Sequence, residues 1–345
     1  MHLKKTLIIA IILGLIGLSS WEMYWRSQGY YPTINDDKAL WSVQRDRVNN
    51  LAPDNVILMG SSRTLFDIQL DIWENQTGKR PIQLASVGSS PLPIFHDIVE
   101  NTNYSGIIIV GVTPGLFFST TFPKAEPWAW PQSKVDHYKD RTYAQRLNHQ
   151  LSLPLQKNFV LMSAGEEVLD DDIDLKAILK RVKIGNRISK GIPPFYEFGE
   201  ITSLDRNLKM MGKTVTDTAF ANTIIEVWHW FGKGAPPPDK DATMAFFMND
   251  YTKFTKRGGK VLLIRCPSSG GVRMGENMGL PRVDFWDDLV KQTGARSYHF
   301  EDYTQLKDLI CPEESHLSKK DADYFTAEIA KIMMKDGVIT NSKTN

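Results

Sequence analysis

The chain opens with an uncharged apolar run over residues 7–18, preceded by Lys4-Lys5 and followed by Trp21, Tyr24 and Trp25. A stretch that is apolar all round has no face to offer water, so it predicts a membrane-associated segment rather than a helix of a soluble core. The run is shorter than the roughly 20 residues that usually span a bilayer. Two readings follow: a cleaved export signal, or an anchor over residues 1–25 with its aromatic residues at the interface and its lysines in the cytoplasm. The small-residue cleavage pattern is poor, which favours a single-pass anchor with the body outside the cytoplasm, periplasmic or extracellular.

Residues 26–54 read as a polar linker and a lead-in helix over 37–51, with Leu40, Trp41, Val48 and Leu51 inward. Short apolar runs bounded by turn residues predict strands at 55–59, 82–85, 107–112, 260–264 and 297–300. Helical periodicity falls between them at 68–76, 93–101, 242–256 and 282–293, and a last helix is expected over 318–335. The first, third and fourth strand runs are nearly continuously apolar, as in a parallel sheet covered on both faces. The alternation predicts a three-layer α/β/α domain over residues 55–336, with ligands at the carboxyl ends of its strands.

Residues 117–241 are too long for a connection and read as a mainly helical insertion on the rim of the site. They hold Trp128 and Trp130, the acidic run Asp170-Asp171-Asp172, a basic helix near 176–190 and the cluster Trp228-His229-Trp230-Phe231. The Trp pairs suit either sugar stacking or the packing of a small subdomain. Pro236-Pro237-Pro238 reads as a stiff return to the core, and residues 337–345 as a polar tail.

Composition alters this picture little. The 345 residues carry 41 Lys plus Arg against 40 Asp plus Glu, a formal charge of +1, which removes any global pull toward nucleic acid. The two cysteines, Cys266 and Cys311, have no metal-ligand spacing. They suit either a disulfide in an oxidising compartment or two inert buried thiols. No metal or cofactor is expected.

Candidate chemistry lies at the two ends of the body. The first strand runs into Gly60-Ser61-Ser62-Arg63, where a hydroxyl emerges at the open edge of the sheet. A serine there needs a base to act as nucleophile. Glu313-Glu314-Ser315-His316, in the loop before the last helix, offers His316 as that base, with Glu313 or its neighbour Glu314 orienting the imidazole. Arg63 suits either contact with an anionic or sugar group or an ion pair with a carboxylate of the insertion, and His96 reads as a structural histidine.

The order of these two motifs resembles the SGNH/GDSL hydrolase superfamily, over about residues 55–335 without the insertion. The resemblance implies a flavodoxin-like sheet, Ser62 as nucleophile and Glu313 and His316 as its partners. It also implies oxyanion donors at Gly88, after the second strand, and in the third block. That block reads Gly111-Val112-Thr113-Pro114 here, so the usual Asn is absent and only the Thr113 hydroxyl can donate. With the anchor, the pattern is similar to envelope proteins that act beside multi-span membrane O-acyltransferases. The expectation is a serine esterase or O-acetyltransferase acting on a small acyl group of an envelope polysaccharide. The alternative is an inactive accessory of the same fold that binds glycan or the membrane acyltransferase.

Overall fold

The computed structural model describes residues 2–118, 125–162, 193–234 and 237–340. The acidic run at 170–172, the basic helix near 176–190 and residues 341–345 of the tail lie outside them. An apolar helix, His2–Ser27, precedes the body, and its segment Leu3–Ser27 is long and apolar enough to cross a membrane.

The described residues form seven strands: β1 (Val56–Met59), β2 (Ile82–Gln83), β3 (Ile107–Gly111), β4 (Gly199–Ile201), β5 (Leu208–Met210), β6 (Lys260–Arg265) and β7 (Arg296–His299). Five make a parallel sheet in the order β2-β1-β3-β6-β7, with Met59 opposite Val110 and Gly111 opposite Ile264. Because successive side chains point to opposite faces, each apolar strand feeds two cores. Ile57, Met59, Ile108, Val110 and Leu263 enter one of them, which is closed by Trp41, Phe95, Phe247 and Trp286. Leu58, Ile109, Leu262 and Ile264 enter the other, which is closed by Trp73, Phe325 and Ile329. The expected mixed α/β body is therefore present, with helices on both sides of a parallel sheet.

Several boundaries differ from the sequence reading. The helix expected over 68–76 is Leu70–Thr77, and a shorter one, Ser62–Asp67, precedes it and begins directly at the candidate serine. A further helix, Gly270–Gly279, follows β6; it has no buried residues, so no apolar periodicity announced it. The long interval is helical, as expected, at Glu126–Asp140, Tyr143–Asn158 and Thr218–Gly234. It also contains the antiparallel pair β4-β5. That pair packs through Phe198, Ile201, Leu208 and Met210 against Leu65 and Phe66 of the helix Ser62–Asp67, forming a third core.

Buried polar groups fix the joints. Arg206, fully buried, pairs with Asp36 at 2.5 Å and donates to the carbonyls of Gln83 and Ala85 at 2.8 Å each, tying the linker and the end of β2 to the β4-β5 turn. Arg45 and Asp97, both 1% exposed, pair at 2.6 Å between the lead-in helix Lys38–Val48 and the helix Leu92–Asn101.

At the carboxyl ends of β1 and β3, Gly60 and Gly111 leave room for Thr64. A Cβ at Gly111 would lie 1.8 Å from Thr64 Oγ1, and one at Gly60 2.0 Å from it. Gly111→Ala is accordingly expected to destabilise the protein by about 1–3 kcal/mol. Chemical denaturation should show the double variant Gly111→Ala/Thr64→Ala to be less destabilised than the sum of the single changes.

Candidate active site

The turn after β1 sets the first component. Ser61 is in extended conformation at the N-cap, so Ser62 becomes the first residue of the helix Ser62–Asp67 and keeps partial exposure at the sheet edge. The Ser62 hydroxyl lies 2.8 Å from His316 Nε2, and His316 Nδ1 lies 2.9 Å from Glu313 Oε1. A carboxylate facing Nδ1 keeps the ring proton there, which leaves Nε2 as acceptor for the Ser62 hydroxyl. The two ends of the body thus meet in one hydrogen-bonded chain across 254 residues.

Glu313 is fully buried, and its carboxylate is satisfied from three directions. The His316 amide donates to Oε1 at 2.6 Å, alongside the ring contact, and Trp228 Nε1 donates to Oε2 at 2.5 Å. The choice left open between the two glutamates is settled by geometry. Glu314 turns away, accepting from the Val272 amide at 3.2 Å and standing 3.4 Å from His229 Nε2. Around the imidazole stand Phe66, Phe198 and Trp228, with ring centroids 4.6, 5.6 and 5.7 Å from it. These aromatic walls leave His316 1% exposed.

The helix carrying Ser62 also holds the histidine loop. Asp67 Oδ1 accepts from the Leu317 amide at 2.9 Å, and the Asp67 carbonyl accepts from Thr326 Oγ1 at 3.0 Å. Burial pushes the Asp67 carboxyl well above the usual carboxylate range.

Of the two readings of Arg63 the structure shows an ion pair, with a carboxylate outside the insertion. Arg63 is 3% exposed, pairs with Glu276 at 2.7 Å and donates to Ser315 Oγ at 3.3 Å. Glu276 also pairs with Arg265 at 2.5 Å and accepts from Ser268 at 2.9 Å. Burial opposes the charge of Glu276, but Arg265 and Arg63 together outweigh it and hold the carboxyl at about 2. The disulfide alternative for Cys266 and Cys311 is corrected: both are free and buried, and burial pushes both thiols up, which makes them poor nucleophiles.

Of the two residues expected as oxyanion donors, Thr113 meets the serine turn directly, and Gly88 lies in a loop that is bonded to it. Thr113 Oγ1 lies 2.6 Å from Ser61 Oγ; one proton serves that contact, and the second hydroxyl hydrogen is free to point elsewhere. Gly88, at φ 58°, lies in an exposed turn after β2. This loop is tied to the serine turn where the Ser86 amide donates to the Gly60 carbonyl at 3.0 Å. Ser86 itself, unmarked by any motif, is fully buried, and among the described residues its hydroxyl has no hydrogen-bond partner.

Among the described residues, His96, Glu100 and Asp250 form one group that could hold a metal ion, with ligand atoms within 4.8 Å of one another. These residues already pair within the protein, His96 with Asp250 at 2.9 Å and Glu100 with Lys253 at 2.7 Å, so each has a structural partner. A cavity of about 360 Å³ opens at the other end of the sheet, lined by Pro53, Val56, Trp73, Gly106 and Lys260, and none of the candidate site residues lines it. Compared with known proteins, the chain matches no protein-family model and no curated protein sequence.

The Glu276 geometry fixes the sign of an acid response. Its folded carboxyl lies at about 2 against an ordinary 4.5, so the unfolded chain takes up the proton first as pH falls. The stability it contributes is complete above pH 4.5 and is lost as pH drops toward 2. Glu276→Gln leaves two buried guanidinium groups without their carboxylate, and at neutral pH is expected to cost about 3–5 kcal/mol. Denaturation midpoints measured across that acid range should converge for the two proteins.

Proposed function

We propose that this protein is a serine-dependent acyl-ester enzyme of the SGNH/GDSL type, held at the cell envelope by its N-terminal helix. The observation that carries the reading is the uninterrupted chain from the Ser62 hydroxyl through His316 to the buried carboxylate of Glu313. In this mechanism Ser62 attacks the carbonyl carbon of an acyl ester while His316 Nε2 takes its proton. Glu313 holds the imidazole in the required tautomer and stabilises the imidazolium. As the tetrahedral intermediate collapses, His316 returns the proton to the leaving alcohol and an acyl-Ser62 ester remains. Water or a second hydroxyl, activated by the same imidazole, then takes the acyl group.

For the developing oxyanion the reading looks to the Gly88 amide and to the uncommitted hydrogen of the Ser61-Thr113 hydroxyl pair. Donors of this kind supply a large share of acyl-transfer rates. The 2-1-3-4-5 succession of strands within the parallel sheet supports the fold assignment, since in that order the serine turn after β1 and Thr113 after β3 flank the switch point. The substrate class we favour is a small acyl ester on an envelope polysaccharide. A multi-span O-acyltransferase is the partner from which such a group could be received.

The test is intact-mass analysis of the full-length protein in detergent, after incubation with an activated acetyl ester or a serine-directed phosphonate. A mass gain of one acyl or phosphonyl group is expected for the wild type and its loss in Ser62→Ala. A wild type that stays unmodified under both reagents would leave the fold as that of a non-catalytic accessory. A second variant addresses the carboxylate. Trp228→Phe keeps an aromatic ring beside His316 but removes a donor to Glu313, so phosphonylation of Ser62 should slow roughly tenfold, the equivalent of about 1.4 kcal/mol. The same change leaves one oxygen of a buried carboxylate without its donor, so its denaturation midpoint should also fall, by the equivalent of about 1–3 kcal/mol.

A further inference from the structure

The helix Tyr143–Asn158 turns most of its leucines outward. The face it gives to the protein carries His149 and Gln156, 7% and 6% exposed, beside the partly buried Leu153, and Gln156 accepts a hydrogen bond from the Asn35 amide at 2.9 Å. On the opposite face, Leu147, Leu151 and Leu155 recur at four-residue spacing and are 40%, 66% and 48% exposed. Phe159 and Met162, just past the helix, add 44% and 42%. A surface helix in water normally turns its leucines in and its glutamines out. A continuous exposed apolar stripe of this kind marks an interaction surface.

The position of this helix identifies its occupant. Its C-terminal end is bonded to the last turns of the N-terminal helix, where Glu22 accepts from the amides of Val160 and Leu161 at 3.0 and 2.8 Å. Arg26 donates to the Asn158 carbonyl at 3.0 Å. These contacts lie among Trp21, Tyr24 and Trp25, the residues that would stand at the membrane-water boundary if the N-terminal helix spans a bilayer. The end of the leucine stripe is thereby fixed at the depth where a bilayer's headgroups give way to its acyl chains.

We infer that the helix Tyr143–Asn158 lies on the membrane surface, with Leu147, Leu151, Leu155 and Phe159 in the interfacial layer of the leaflet from which the anchor emerges. The inference rests on the membrane reading of the N-terminal helix and is separable from it. An interfacial helix of this type is held by its buried apolar face, with polar residues toward water or, as here, toward its own protein. Anchor and helix together make two attachments, so the body is fixed in orientation as well as tethered.

The test uses full-length protein reconstituted in vesicles of phosphatidylethanolamine and phosphatidylglycerol. An environment-sensitive fluorophore is attached at Leu151→Cys, at Leu155→Cys, at Leu13→Cys within the anchor, and at Lys291→Cys on a distant exposed helix. The native thiols of Cys266 and Cys311 are buried, which leaves the introduced thiol as the reactive one. Labels at 151 and 155 are expected to shift to the blue and to be quenched by lipids carrying a spin label near the headgroup. The label at 13 should be quenched by chain-end spin labels, and that at 291 by neither. Quenching at 13 with water-exposed labels at 151 and 155 overturns the inference and leaves the anchor standing. Labels at 151 and 155 that are shielded from water yet untouched by lipid quenchers overturn it in favour of a protein occupant. Absence of quenching at 13 removes the membrane reading, and the inference with it.

Discussion

A carboxylate cannot be withdrawn from water without replacing its hydration, and the structure around Glu313 is organised by that requirement. Two of its three donors come from His316, three residues on, and are the local consequence of a tight loop. The third, Trp228, comes from 85 residues earlier in the chain. The interval between β3 and β6 is thus part of the candidate site, since it closes the dry end of the hydrogen-bonded chain. The same helix and the β4-β5 pair supply the aromatic walls of His316. The core that holds them against Leu65 and Phe66 is then also what keeps water from competing for the imidazole.

Beneath this chain lies a second polar layer that holds the loops in register. Glu276 between Arg63 and Arg265 joins the residue after Ser62 to the end of β6, and Arg63 reaches Ser315 beside the histidine. Asp67 ties the other end of the helix Ser62–Asp67 to Leu317. The serine turn, the end of β6 and the histidine loop are therefore held to one another by buried side chains. Such networks are costly when half satisfied, which favours one arrangement of the edge over its alternatives.

The sheet was legible because β1, β3 and β6 are buried on both faces and so read as unbroken apolar runs. Ser62, His316 and Glu313 were legible because they lie where a strand ends and a helix begins, positions that turn chemistry marks in the chain. What stayed hidden was encoded in distance. The Trp228 cluster was visible as aromatic residues, but nothing local says that one indole faces a glutamate far along the chain. The carboxylate that pairs with Arg63 stayed hidden because it lies outside the insertion, in the helix Gly270–Gly279, a glycine-rich stretch with no apolar period. Ser86 carried no signal at all, since a small hydroxyl in an apolar-to-turn transition is commonplace and only its burial sets it apart.

The third core also joins the site to the N-terminal helix. Trp25 packs edge-on against Tyr30 at 5.2 Å, and Tyr30 against Phe220 at 6.3 Å. Phe220 and Trp228 lie on one helix, Thr218–Gly234, so the indole that completes Glu313 is only about 12 Å of helical rise from the residue that meets the aromatic cluster around Trp25. With the N-terminal helix in a bilayer, rigid packing through this helix would set Ser62 at a short, fixed height above the membrane. A soluble ester has no need of such a constraint. Under the proposed function a substrate delivered at the membrane surface would need it, because Ser62 would have to meet an acyl group whose own height is fixed by the molecule that carries it.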